Sequence, residues 1–321
     1  MSVLTAPITT VMDKTQPSPS GDNHDYVSYA RYLWPDPSKP DGLPYIQRDG
    51  HHNLAQVARG DRARLWDFCG TVETLAKMWS ADDDSAAAER AAAWLRAWLV
   101  TPATRMTPHL NYAQIALGHD NNQGHAYGII DSRCLTQVTQ GLDLLSDSPF
   151  LTNDDHSAIR AWFSAYLDWL LTSTNGRGEH SAANNHSSWF LAQVIAIASW
   201  VGRHDVAREL CEEAKALIAQ QITADGRQPQ ELSRADSLSY SHFNLEAHFQ
   251  VAHLAPTLGL DLWHYTTPNG ASLRKAVDYL RPYNTAPHTW PLPQHAKLAP
   301  GFLNDLLCQA DQVWTDSNPK K

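Results

Sequence analysis

Apolar residues return at spacings of three and four in one segment after another, a period that admits amphipathic helices and little else. It is read in Leu65, Phe68, Val72, Leu75 and Met78, in Ala91, Trp94, Leu95, Trp98 and Leu99, and in Leu135, Val138, Leu142 and Leu145. Ile159, Phe163, Tyr166, Leu167 and Leu170 continue it, as do Phe190, Val194, Ile197 and Val201, then Val206, Leu210, Ala214 and Leu217. Further helical stretches are expected over about 237–257, 271–282 and 302–311, and convincing long strands are scarce. Roughly eight to ten helices joined by short polar loops make an all-α protein. The period alone does not separate a bundle, a repeat array and a closed ring of helix pairs, although no fixed-length internal repeat supports a solenoid.

Ahead of the helices, residues 1–20 are rich in Thr, Ser and Pro and are expected to form a flexible arm. The Pro, Gly, Asp and Tyr-rich stretch from about 24 to 53 reads as a long ordered loop, a length uncommon unless functional. Residues 21–321 are expected to form a single domain. The start, Met1 to Ser20, lacks the basic and apolar regions of a secretion signal, so a periplasmic or secreted location is expected only if such a leader was removed. No segment approaches the apolar length of a membrane span.

A chain of 321 residues, 43% hydrophobic and 18% charged, can bury a large core. A net charge of -9 without basic clusters argues against nucleic acid as a partner, whereas a locally basic cleft on an acidic protein still accommodates an acidic polysaccharide. The 12 Trp and 11 Tyr suit sugar stacking as well as core packing. Cys69, Cys134, Cys211 and Cys308 form no paired motif and are expected to be buried free thiols. Among 16 His no His-Glu-x-x-His string occurs, so neither a catalytic metal nor any other cofactor is expected.

The chemistry concentrates in Asn184-Asn185-His186-Ser187-Ser188-Trp189, in Glu231-Leu232-Ser233-Arg234, and in Tyr240-Ser241-His242. An amide, an imidazole, a guanidinium and a phenol suit proton abstraction beside a carboxylate. Such a proton is weakly acidic until fixed donors neutralise the neighbouring charge and a base comes within reach. Asn185 and Arg234 are candidate donors, and His186 or Tyr240 the base. The same residues have plainer uses: Asn184 or Asn185 as a helix N-cap, Arg234 in a salt bridge with Glu231 or Asp236, Tyr240 as a helix tyrosine with a wet tip. His242 and His248 are read as structural.

The Asn-Asn-His-x-x-Trp string and the Glu-Leu-x-Arg string followed by Tyr240 resemble the alginate lyase superfamily of polysaccharide lyases. His24 to Ser28, Tyr32 to Pro37 and Pro44 to Gly50 resemble its opening, so the likeness runs from about residue 22 to about residue 285. The interval from Arg234 to Tyr240 is one residue shorter than in the older family five, which favours polysaccharide lyase family thirty-eight, whose members cleave alginate or glucuronan. The resemblance implies an incomplete (α/α) toroid. It also implies that Asn185 binds the sugar carboxylate, that His186 is a base or an orienting group, and that Arg234 and Tyr240 complete the catalytic set. Asn111, Gln114 and Arg133 lie in stretches resembling the lining of the substrate cleft, and Tyr26, Tyr32 and Trp34 are expected to close over it. Ser187 and Ser188 replace bulkier residues, which implies a wider cleft near His186.

The expected activity is β-elimination on a 1,4-linked polyuronate, leaving a 4,5-unsaturated uronate end. A Tyr240 phenol, ordinarily near ~10, needs a cation such as Arg234 beside it to act as base. Two alternatives are a glycoside hydrolase using paired carboxylates drawn from Asp131, Glu231, Asp236 and Glu246, and a non-catalytic polysaccharide-binding protein.

Overall fold

The structure is a computed structural model and describes residues 2–315. The chain divides into two compact units, Met1–Glu179 with Ala196–Gly202, and His180–Ile195 with Arg203–Lys321, where a single domain was expected over 21–321. Residues 316–321 of that expected domain, and Met1 of the expected arm, lie outside the described residues.

In the first unit, strand β1 (Val27–Tyr29), the two-residue strands β2 (Leu33–Trp34) and β3 (Ile46–Gln47), and the short helix α1 (Leu54–Val57) occupy the stretch expected to be an ordered loop. Helices α2 (Arg62–Asp82) and α3 (Ser85–Leu95) follow, then β4 (Tyr112–Ile115), α4 (Leu135–Leu144), α5 (Asn153–Thr172) and α6 (Thr174–His180). The sheet is minimal: β1 pairs parallel with β4, Val27 opposite Tyr112, and β2 pairs antiparallel with β3, Trp34 opposite Ile46. Each apolar stripe is the buried face of its helix. On α2 these residues are Leu65, Phe68, Cys69, Val72, Leu75 and Ala76, and Phe68 stacks on Trp98 with ring centroids 4.8 Å apart. Helix starts are set locally: Asp84 caps α3 by accepting from Ala87 N, and Thr152 with Asp155 forms a capping box on α5. Asp155 also pairs with Arg96 at 2.7 Å, which holds its carboxyl down at about 2.

The arm expected to be loose is instead docked. Val11 is fully buried, Trp98 Nε1 donates to Thr9 O at 2.9 Å, and Lys14 reaches the buried Asp61 at 3.2 Å. Composition misjudged it because its anchors, Trp98 and Asp61, are supplied from distant parts of the chain. The Gly176-Arg177-Gly178-Glu179 stretch is part of α6.

Helix α7 (Asn185–Val201) has residues 187–198 buried without interruption, as an all-round apolar helix must be. Its first eleven residues belong to the second unit, with α8 (His204–Gln221), α9 (Pro229–Leu232), α10 (Ser237–Leu254), α11 (Leu273–Leu280) and α12 (Asn304–Thr315). Phe249, Trp263 and Trp314 pack edge to face here, Phe249 and Trp263 at 4.6 Å. Gly226, at φ 84°, lies so close to the Lys275 carbonyl that a Cβ would overlap it; this turn aims the chain into α9. The start of α10 is capped from far away: Gln294 Oε1 accepts from Leu238 N and Ser239 N, and Trp290 Nε1 donates to Ser237 Oγ at 2.8 Å. That pinned first turn carries Tyr240. Among the described residues no helix is long and apolar enough to cross a membrane. Of the four cysteines, Cys69, Cys134 and Cys211 are buried free thiols as expected, while Cys308 is exposed.

Candidate active site

Helix α7 opens with the residues singled out in the sequence. Asn184 is its cap, its Oδ1 accepting from His186 N at 3.2 Å, which leaves the Asn185 side chain for another task. Asn185, only 1% exposed, donates from its backbone N to Glu231 Oε1 and from Nδ2 to Glu231 Oε2, both at 2.7 Å. These two bonds fix the amide's orientation, and its Oδ1 is buried without a hydrogen-bond partner. Burial pushes the Glu231 carboxyl above its ordinary range; the two bonds from Asn185, then the charges of Arg234 and His186, pull the other way. Asn185 is thus bonded to a buried carboxyl that also feels the charges of Arg234 and His186.

Arg234 stands just beyond α9, a single helical turn started by Pro229. Its Nη2 donates to Tyr240 Oη at 3.0 Å, and its Cζ lies 3.9 Å from the centroid of the tyrosine ring. The guanidinium thus both grips the phenol oxygen and covers the ring, and its permanent charge stabilises negative charge on that oxygen. Arg234 and Tyr240 are both half-buried.

Behind α7 lies a buried polar network. Ser237, Ser241, Asn244 and His248 form a stripe along α10, and all four are at most 3% exposed. Asn244 Nδ2 donates to Gln221 Oε1 at 3.0 Å and to Gln228 Oε1 at 2.8 Å, and His248 Nε2 meets Gln221 Oε1 at 2.9 Å. Gln221 Nε2 in turn donates to Asn184 O at 2.9 Å and Ser187 Oγ at 3.1 Å, and Ser188 Oγ donates toward Gln221 and Asn244. The hub therefore holds the first turn of α7, where Asn185 and His186 sit. Ser187 and Ser188 are 1% exposed and spent in this network, so they do not widen a cleft as expected.

Burial without a compensating charge holds His248 down at about 4, and His242, largely buried beside Phe302, is likewise lowered to about 4. A histidine depressed in the fold takes its proton first in the unfolded chain, which binds more protons between about 6.5 and about 4. Stability is therefore expected to fall as pH drops through that window, by up to about 3 kcal/mol for each histidine, while the raised Glu231 offsets part of it. Denaturant unfolding at pH 7 and pH 5 reads this directly, and a stability flat across that interval would contradict it.

The candidate sugar contacts all lie in the first unit, and the structure sorts them. Tyr26 is fully buried and donates to Asp131 Oδ2 at 3.1 Å, so it offers no face to a sugar; the expectation for it fails. Gln114 fails similarly, being 8% exposed with Nε2 donating to Asp131 Oδ1 at 2.9 Å. Arg133 is packed over Trp66 at 4.1 Å, and burial lowers it to about 10. Tyr32 and Trp34 are half-buried on the β2–β3 ribbon, Tyr32 edge-on to His52 and Trp34 with Arg48 beside its ring. Asn111 lines an open pocket. Among the candidate acids, Asp131 is wholly buried and takes Tyr26, Ser28, Gln114 and Arg62, while Asp236 Oδ1 accepts from Ala296 N and Gln294 Nε2. Glu231, named in the sequence as a possible acid or as a salt-bridge partner of Arg234, is the partner that orients Asn185. Its place at the head of the Glu-Leu-x-Arg string was visible, but the partner was not. Among the described residues no group of three or more His, Cys, Asp or Glu is placed to hold a metal ion.

Comparisons with known proteins complete the picture. The alginate lyase family matches residues 10–290. Among solved structures, an alginate lyase from Bacteroides ovatus is similar at 34% identity and a TM-score of 0.90, covering 97% of this chain and 81% of that one. Alginate lyase A1-III from Sphingomonas species A1 is similar at 16% identity and a TM-score of 0.66, covering 99% of this chain and 81% of that one. A histidine-to-alanine variant of A1-III complexed with tetrasaccharide gives 17% identity and 0.60, covering 94% and 79%. At those two lower identities the likeness is one of fold, in keeping with the all-α class and the helical toroid that the sequence resemblance implies. No curated protein matches the chain. With the family matched over most of its length, this chain belongs to the alginate lyase family and is a polysaccharide lyase.

Proposed function

We propose that the chain cleaves a 1,4-linked polyuronate in which the C5 hydrogen and the C4 oxygen lie on the same side, β-mannuronate or β-glucuronate, with Tyr240 as base and acid in turn. The observation that carries this is the Arg234 guanidinium donating to Tyr240 Oη at 3.0 Å. The phenolate it supports takes the C5 proton, and the C5–H electron pair is delocalised toward the C6 carboxylate. The charge of Arg234 reduces the negative charge there, while Asn185, buried and spent on Glu231, holds the start of α7 that carries His186. Collapse of the enolate-like intermediate forms the C4–C5 double bond and breaks the C4–O bond, and Tyr240 returns its proton to the leaving oxygen. No water enters at the scissile bond. His186, beside Asn185, orients this group; in a substrate with hydrogen and oxygen on opposite faces it would be the base.

Acidic polysaccharide as the substrate is supported by the names of the similar structures, which are alginate lyases, two of them variants complexed with tetrasaccharide. Placement in family thirty-eight rests on the shortened interval from Arg234 to Tyr240. The hydrolase alternative is disfavoured because Asp131 and Glu231 are buried and committed to internal partners. Offered polymannuronate, polyguluronate and glucuronan separately, the protein is expected to raise the ultraviolet absorbance of a conjugated unsaturated uronate on the first or the last. Release of reducing ends without that absorbance would turn the reading to hydrolysis.

A further inference from the structure

Residues 235–239 join Arg234 to Tyr240, and every one of them is hydrogen-bonded to a single strap of the second unit, Trp290 to Ala296. His295 N donates to Ala235 O at 3.2 Å, and Ala296 N donates to Asp236 Oδ1 at 2.7 Å. Ser237 N donates to Pro293 O at 2.9 Å, and Leu238 N and Ser239 N donate to Gln294 Oε1 at 3.1 and 3.2 Å. These are the first three N–H groups of α10, which a helix cannot satisfy from within itself. Asp236 stands at the cap position without capping through its side chain; its Oδ1 accepts from the strap instead.

The strap is itself anchored. Trp290, 7% exposed, packs edge to face with Tyr279 at 5.8 Å and with Tyr283 at 4.7 Å. Gln294 follows with both ends of its amide spent. Its Oε1 takes the two N–H groups, and its Nε2 donates to Asp236 Oδ1 at 3.2 Å, Ser239 Oγ at 3.0 Å and Ala296 O at 3.1 Å. Only an amide side chain of this length offers an acceptor and two donors together. Residues 291–296 lie just past the span that the alginate lyase family matches. The Arg234 guanidinium favours a phenolate only while its Nη2 stays near 3.0 Å from Tyr240 Oη. With the N–H groups of Leu238 and Ser239 unmet, the first turn of α10 frays, and the phenol it carries leaves the guanidinium.

We propose that Gln294 is a positioning residue for the elimination, fixing the first turn of α10 so that the Tyr240 phenol stays against Arg234; this rests on the Tyr240 mechanism above. It acts through the backbone of Leu238 and Ser239.

The test compares the parent protein with Gln294→Met, of similar length but without the amide, and with Gln294→Ala. Ionisation of Tyr240 is read as the difference in tyrosinate absorbance between each protein and the same protein carrying Tyr240→Phe. In both variants the phenol is expected to lose its proton at a pH about 1 higher than in the parent, because its cation is no longer held beside it. Turnover of the preferred polyuronate at neutral pH is expected to fall about tenfold with KM little changed, and the loss to shrink as pH is raised. A merely structural role would lower activity equally at every pH. An unchanged phenol titration, or a loss equal at every pH, overturns the proposal. So does loss of the folded state in both variants, which would make Gln294 a residue of stability alone. Absence of unsaturated product from the wild-type protein, or full activity in Tyr240→Phe, would count against the elimination mechanism, while the phenol titration would still decide whether Gln294 sets the pair.

Discussion

Tyr240→Phe is expected to cost about a thousandfold or more in turnover, at the upper part of the roughly 10²–10⁴ that a positioned acid or base supplies. The reason is that one oxygen serves both proton transfers, so its removal strikes the abstraction and the departure together. Arg234 would then lie beside a ring that carries no oxygen to accept from its Nη2, and its charge would assist no step through that oxygen. The loss should fall on kcat more than on KM, since the phenol acts in the transition state rather than as a uniform binding contact. Because Tyr240 is half-buried and the first turn of α10 is capped by Gln294, the unfolding midpoint should move little. Activity within tenfold of the wild type, in a protein with unchanged thermal unfolding, would remove Tyr240 from the chemistry and leave His186 as the base.

What the sequence disclosed and what it hid divide along a physical line. The helices were legible because a buried stripe repeats with the helical period wherever the helix packs: every stretch named from Leu65 to the region 302–311 lies in a helix or its continuation. Asn185, His186, Arg234 and Tyr240 were legible as residue types in a recognisable spacing; Asn185 hydrogen-bonds Glu231, and Arg234 hydrogen-bonds Tyr240. The partner that aims Asn185 was not, because a buried glutamate and an exposed acid are written with the same letter. Tyr26 and Gln114 show the converse failure: an aromatic ring and an amide suit a sugar, but the same groups suit the buried carboxyl of Asp131 equally well. The polar network was half visible. Ser237, Ser241, Asn244 and His248 fall at helical spacing on one face of α10, where an apolar stripe would ordinarily stand. A polar stripe at core spacing signals a buried network, but only the fold could supply Gln221 from α8 as its centre.

Gln221→Leu is expected to be the most damaging single change in the second unit outside the catalytic residues. The side chain is 2% exposed and meets five groups: Asn184 O and Ser187 Oγ through Nε2, and Ser188 Oγ, Asn244 Nδ2 and His248 Nε2 through Oε1. Leucine fills much of the same space but satisfies none of them. Some are rescued by other partners, since Asn244 retains Gln228 and Ser188 retains Asn244. His248 is not rescued by any bond seen here: burial keeps it neutral, and its ring proton loses the acceptor. Each buried donor or acceptor left without a partner costs about 1–3 kcal/mol, so the expected loss is on the order of 3–5 kcal/mol. That is a large part of the roughly 5–15 kcal/mol by which domains are held folded. Activity should fall too, because Asn184 and Ser187 flank Asn185 and His186 and lose the tether that fixes the start of α7. Denaturant unfolding measures the first effect, and turnover below the unfolding transition measures the second. A loss under about 1 kcal/mol would mean that water or rearranged side chains satisfy the network, and that the catalytic turn is held by Glu231 and the Asn184 cap alone.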